Sequence, residues 1–299
     1  MFPDARLIFI LGKGGVGKTV VAAAAALWRA RCAEEVLLVE IETQDFGVYF
    51  HQTPLSYEGI AVAPHLTVAS INAHDAFTEY ATGRLGSHAL YRTLFDNRFV
   101  HYFLDATPGI NALMCLGKIW SMTQTSRWDR ILVDLPATGH GLGFLRAPWV
   151  VTDAVPRGPL YEHGMAIRST LHDRAQTRAL IVTLCEELPV RETLDIAQAL
   201  RTSVQMALGP VVANRRRPPV IPAAVHNEWG TFRQAHATDP EWRPYLDAAT
   251  FALRHEARQH QQEQTLAAAF GDQLRFLPEL PPSSTGLAGA MAQAMEAWQ

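Results

Sequence analysis

The chain has 299 residues, 48% hydrophobic and 18% charged, with 26 Lys and Arg against 29 Asp and Glu for a formal net charge of −3. That balance excludes a disordered chain, and the length buries a sizeable core in one α/β domain or two small ones. No basic field is present to hold nucleic acid or an acidic membrane; Arg215–Arg217 before Pro218-Pro219 reads as a solvated loop.

The first element is a strand-like run, Arg6–Leu11, that leads directly into Gly-Lys-Gly-Gly-Val-Gly-Lys-Thr, residues Gly12–Thr19. The octet fits G-x-x-x-x-G-K-[ST], with a strand before and an Ala-rich helix, Lys18–Cys32, after it. Glycines let such a loop curl with its N–H groups inward, where they and the helix N-terminus meet phosphate oxygens. Lys18 is spaced to neutralise the β- and γ-phosphates of ATP, and the Thr19 hydroxyl to ligate Mg²⁺. Lys13 is a second lysine that an ordinary phosphate loop does not need. The competing reading, a glycine turn with two solvated lysines, leaves the Gly17-Lys18-Thr19 spacing unexplained.

Further strands are expected at Glu35–Ile41, Leu66–Ile71, Arg130–Leu135, Ala179–Leu184 and Pro210–Asn214, with a short last one at Leu274–Leu277. Their nearly unbroken apolar character suits strands covered on both faces of a parallel sheet. Helices are expected at Arg157–Asp173, Arg191–Leu208 and Thr285–Trp298. The alternation predicts a doubly wound α/β fold with its ligand at the C-terminal sheet edge. Two stretches exceed a simple crossover and read as helical insertions within a single domain spanning 1–299. Residues 72–128 carry helices at His74–Arg84, Ser87–Leu94 and Ile110–Thr125, and residues 222–270 are again helical. Both insertions are expected to pack together over the nucleotide edge.

Asp134 ends its strand where a second carboxylate would organise a Mg²⁺ shell. Leu135–Gly143 follows as a glycine-rich stretch, read either as a loop that moves with the γ-phosphate or as a tight turn. Within it, His140 stands where it would sense that phosphate. Cys32, Cys115 and Cys185 are scattered, without metal-ligand spacing, as free cysteines of a reducing compartment are. The first strand begins too early for a signal peptide, and no apolar run reaches the ~20 residues of a membrane span. A cytoplasmic protein without stable membrane insertion is expected.

Gly12–Thr19 and Asp-Leu-Pro-Ala-Thr-Gly-His-Gly-Leu at 134–142 together resemble the deviant Walker A ATPases of the arsenite-pump (ArsA) type. These are kin of the ATPase that delivers tail-anchored membrane proteins in eukaryotes. Leu116–Trp120, Phe144–Pro148, Thr183–Pro189 and Asn214 are similar to the bacterial branch of that family. The resemblance runs from residue 6 to about 219, then thins until Leu277–Pro281. It implies a dimer that binds and hydrolyses Mg-ATP, with a hydrophobic or membrane-protein client; a nucleotide-dependent homodimer is expected, with pairing to a paralogue left open. It also implies that Lys13 reaches phosphates bound by the other subunit. Gly14, Gly15, Val16, Gly17, Lys18, Thr19 and Val20 would line the phosphates. Asn214 would bond the adenine edge, with Pro278, Leu280 and Pro281 packing on the base; a turn or cap role for Asn214 competes.

Two departures stand out. The family's water-orienting Asp aligns with Glu42, one methylene longer, so Glu42 positions water, Asp45 substitutes, or hydrolysis is slow. Glu40 reads as a structural neighbour of that site. The clustered metalloid-binding cysteines and the zinc CxxC pair of relatives are also missing, which disfavours metalloid transport and a zinc-held dimer. Phe77, Leu85, Leu90, Leu94, Phe99, Tyr102, Phe103, Leu113 and Met114 line a client groove or form the core of a helical subdomain. The alternative to a switch is a nucleotide-holding scaffold with little hydrolysis. A cell-positioning ATPase fits poorly, because Leu287–Trp298 carries no Lys or Arg.

Overall fold

A computed structural model describes residues 4–85, 109–136, 138–219, 223–281 and 286–298. Among these residues, eight strands form one sheet in the order β3-β4-β2-β5-β1-β6-β7-β8. They are β1 (Leu7–Leu11), β2 (Val36–Ile41), β3 (Ile60–Ala63), β4 (Leu66–Ile71), β5 (Arg130–Asp134), β6 (Thr177–Leu184), β7 (Leu208–Arg216) and β8 (Leu274–Pro278). All neighbours are parallel except β3, which pairs antiparallel with β4 at one edge. Parallel strands with buried residues on both faces match the apolar runs read in the sequence. The α/β doubly wound class is therefore observed.

β3 is new relative to the sequence reading. Ile-Ala-Val-Ala is four residues long, too short for a periodic signal, and its sides are only half covered.

One face of the sheet carries α1 (Lys18–Arg31) and α10 (Gly286–Met295), which pack on each other. Ala22–Ala26 in α1 are fully buried. Their small side chains let the helix lie close to both the sheet and α10. The other face carries α4 (Ile110–Thr123), α5 (Thr138–Ala154), α6 (Pro159–His172), α7 (Glu187–Ala199) and α9 (Arg243–Phe270). The remaining helices among the described residues are α2 (Phe46–Phe50), α3 (Ala73–Leu85) and α8 (Ala223–Ala235).

Three expectations change. The stretch read as a glycine loop after Asp134 is helical from Thr138 onward, because it is the start of the apolar helix α5. The helix expected at Arg191–Leu208 starts earlier, at Glu187, and gives way to a wider π turn at Leu200–Val204 before β7. Among the described residues, the helical additions pack mainly on other elements rather than on each other. α4 lies against α3, α5 and α6, whereas α9 lies against α7 and β8 toward the opposite edge of the sheet. The expected helix Ser87–Leu94 lies outside the described residues.

Candidate functional site at the C-terminal sheet edge

Parallel pairing puts the C-termini of β1, β2, β5, β6 and β7 along one edge, with Ile10 and Glu40 both in register with Asp134 and Leu184 with Asn214. The loop Gly12–Gly17 leaves β1 at this edge and its backbone demands glycine. Gly12 has φ +149°, and a Cβ there would lie 2.2 Å from the Val182 carbonyl oxygen. Gly17 has φ +90°, and a Cβ would meet the Asn214 amide at 2.5 Å. Gly15 also has positive φ, +85°, but a Cβ there would meet nothing. The loop is thus tight at both ends and open in the middle, a cradle with room for an anion. Val16 is buried and holds the loop down, while Gly14 and Gly15 face outward.

Lys18 and Thr19 open α1 beneath this cradle. The Lys18 ammonium lies 3.3 Å from the Lys13 carbonyl oxygen. Burial lowers its pKa, and the charge of Asp134 opposes that shift. The Thr19 hydroxyl donates to Asp134 Oδ2 at 2.7 Å. The other oxygen, Oδ1, is buried and has no hydrogen-bond partner among the described residues. Burial pushes the Asp134 carboxyl up to about 6, against the Thr19 bond and Lys18. A hydroxyl and a carboxylate with one free buried oxygen fit the hard oxygen ligands that Mg²⁺ takes, and the open glycine cradle with Lys18 fits the N–H and cationic partners that a triphosphate takes.

Glu42 stands two residues beyond Glu40, just past the end of β2. It follows β2 with φ +59°, and its Oε1 accepts the Ala73 N–H at 2.7 Å, capping α3. Glu40 is buried beside Asp134, with Oε2 accepting the Phe46 N–H at 3.0 Å. Burial raises its pKa. Asp45 begins α2 without a side-chain cap. Lys13 Nζ lies 3.1 Å from Glu192 Oε1 on α7 of the same chain. Glu192 escaped the sequence reading because 179 residues separate it from Lys13 and no motif marks it.

The Asn214 amide is almost fully buried. Its Nδ2 donates to the Val16 carbonyl at 2.9 Å, and its Oδ1 accepts the Arg215 N–H at 2.9 Å. It thus ties β7 to the phosphate-loop candidate. A pocket beside it is lined by Val20, Asn214, Arg215, Pro278 and Leu280, joined by Leu287 and Met291 of α10. Pro281 lies beyond that lining and is exposed. Leu287 and Met291, four apart on one helix face, were legible as a pair but not as pocket walls.

Of the groove residues, Leu113 and Met114 are buried in the core under the sheet and Phe77 packs against it. They form subdomain core. Leu90, Leu94, Phe99, Tyr102 and Phe103 lie outside the described residues, as does the Leu85 side chain. His140 is exposed on the first turn of α5. Cys32 is exposed, while Cys115 and Cys185 are buried with pKa values raised by burial.

Residues 5–157, half of the chain, match the family model of the anion-transporting ATPases, the ArsA ATPases. The chain belongs to this family. The ArsA-family chain is 32% identical over 225 residues to ATPase BagA of Mycobacterium tuberculosis, covering 71% of this chain and 66% of that protein. It is 25% identical over 170 residues to ATPase GET3 of Malassezia globosa, covering 52% and 49%. It is 26% identical over 236 residues to a putative arsenical pump-driving ATPase of Halobacterium salinarum, covering 72% and 36%. The chain therefore spans less than two thirds of the length of these relatives. The matched residues 5–157 include the glycine loop, Glu42 and Asp134, but end before Asn214 and β8. Among the described residues of this family member, no helix is long and apolar enough to cross a membrane.

Proposed function

We propose that this chain binds Mg-ATP at the C-terminal sheet edge and hydrolyses it as a nucleotide-dependent homodimeric switch that captures and releases a hydrophobic client. The observation that carries the reading is the Thr19–Asp134 hydrogen bond beneath a glycine cradle that is open at Gly15. Thr19 and Asp134 would hold Mg²⁺, which when bound neutralises charge on the phosphate chain. Gly14 to Lys18 offer N–H donors and an ammonium to the phosphates. Val20, Pro278 and Leu280 give the base apolar walls in a pocket whose rim carries Arg215 and Glu279, and Asn214 fixes the loop against β7. Glu42 orients water, and Lys13 leaves Glu192 to reach the phosphates of the other subunit.

A second reading has its own support. The Glu42 carboxylate is engaged as the cap of α3, so a nucleotide-holding scaffold with slow hydrolysis fits the same geometry. Steady-state ATP turnover with Mg²⁺ separates the two. For the switch, the wild type turns over, while Glu42→Gln and Lys13→Ala lose turnover and keep ATP binding. A wild-type rate equal to both variants supports the scaffold instead. Gln is chosen because its amide oxygen still accepts the Ala73 N–H, so lost activity is not a lost helix cap.

A further inference from the structure

Three arginines in a row leave the end of β7. Two have their charge matched inside the chain. Arg216 bonds Glu263 at 2.8 and 3.2 Å, and Arg217 bonds Glu279 at 2.8 Å. Arg215 makes neither an ion pair nor a side-chain hydrogen bond among the described residues; its backbone N–H alone is bonded, to Asn214 Oδ1. Its φ of +53° is a left-handed value that a side chain adopts only where the surroundings enforce it. Here the Asn214 bond helps to hold it, and the other end of the Asn214 amide is bonded to the Val16 carbonyl, so Arg215 follows directly on the residue that touches the glycine loop. Its side chain is at the rim of the base pocket with Val20, Asn214, Pro278, Leu280 and Glu279, whose carboxylate is already bonded by Arg217.

The Tyr49 phenol has its pKa raised by burial and by the charges of Asp45 and Asp134, and Arg215 opposes them. One side chain of α2 therefore feels both the carboxylate that bonds Thr19 and the guanidinium that follows Asn214. An exposed, unmatched guanidinium beside a loop shaped for anions is well suited to bidentate bonding of phosphate oxygens, and it keeps its charge at any working pH.

We propose that Arg215 is a further nucleotide-binding residue, whose guanidinium bonds anionic phosphate oxygens of the nucleotide held by the Gly12–Thr19 loop. Its matched neighbours Arg216 and Arg217 serve the protein's own carboxylates instead. The proposal rests on the nucleotide reading above and deepens it.

The test is a titration of ATP with Mg²⁺ into wild type, Arg215→Gln, Arg217→Gln and Lys18→Ala at low and high salt, with thermal melting as a check on folding. Arg215→Gln is expected to weaken ATP binding about tenfold, the scale of one charge-assisted contact, and to flatten its salt dependence. Arg217→Gln should bind as the wild type does. Equal affinity of Arg215→Gln and wild type, in a variant that melts normally, overturns the role of Arg215 and leaves the nucleotide reading intact. A wild type that binds no ATP, or a Lys18→Ala variant that binds it equally well, overturns the nucleotide reading and this proposal with it.

Discussion

Gly12 and Gly15 share a loop and a positive φ, yet they answer to different demands. At Gly12 a methyl would sit 2.2 Å from the Val182 carbonyl of the adjoining strand, so the glycine serves the fold. At Gly15 the space is open, so the glycine serves whatever enters. Gly12→Ala is predicted to destabilise the protein by several kcal/mol, about 3 or more, since rigid backbone must move. Gly15→Ala is predicted to cost less, about 1–2 kcal/mol for the left-handed backbone alone, while abolishing nucleotide binding, because its Cβ would fill the cradle. Paired thermal melts and ATP titrations check both; a Gly15→Ala variant that still binds ATP would refute the cradle. The motif shows six of these eight residues as a loop, but not which glycine faces protein and which faces ligand. That distinction comes from β6, far away in sequence.

At the scale of elements, helix and strand ends are joined by carboxylates. Glu34 receives Arg29 from the end of α1 at 2.9 Å and Arg130 from the start of β5 at 3.0 Å. Burial alone would raise its pKa, but the two guanidinium groups outweigh it and hold the carboxyl below its ordinary value. A depressed carboxyl adds stability above its unfolded pKa and loses it as pH falls through the folded one. Glu34→Gln should therefore lower stability at neutral pH by about 1–3 kcal/mol, with the difference from wild type vanishing in acid. A gap that stays constant with pH would count against the ion pair. Glu42 does similar work for α3. Glu42→Ala is predicted to cost about 1 kcal/mol in melting through the lost cap, whereas Glu42→Gln should cost little. β1, β2, β4 and β5 were legible to within a residue at each end, since buried parallel strands are uniformly apolar. α5 was not, because Gly139, Gly141, Gly143 and Pro148 imitate a loop in a segment that the core holds helical.

For the whole molecule, the Lys13–Glu192 pair bears on assembly. A lysine that reaches another subunit must first leave Glu192. With Mg²⁺ and a non-hydrolysable ATP analogue, light scattering after gel filtration is expected to show the mass shift from one copy to two. Lys13→Ala should stay at one copy while binding the analogue. A mass that ignores nucleotide in the wild type would remove the switch and leave the scaffold.

The sequence by itself determined the fold class, the glycine loop after the first strand, the strand-end Asp134 and the family, because each is written in contiguous residues with a recognisable spacing. Only the tertiary structure decided the rest. It joined Thr19 to Asp134 across 115 residues, Asn214 to Val16 across 198 and Glu42 to Ala73 across 31. It also separated the matched Arg216 and Arg217 from Arg215 within one run of like charge. The physical reason is the parallel sheet. Its register gathers strand ends from distant parts of the chain along one edge, and hydrogen-bonding partners there are set by strand order rather than by sequence distance.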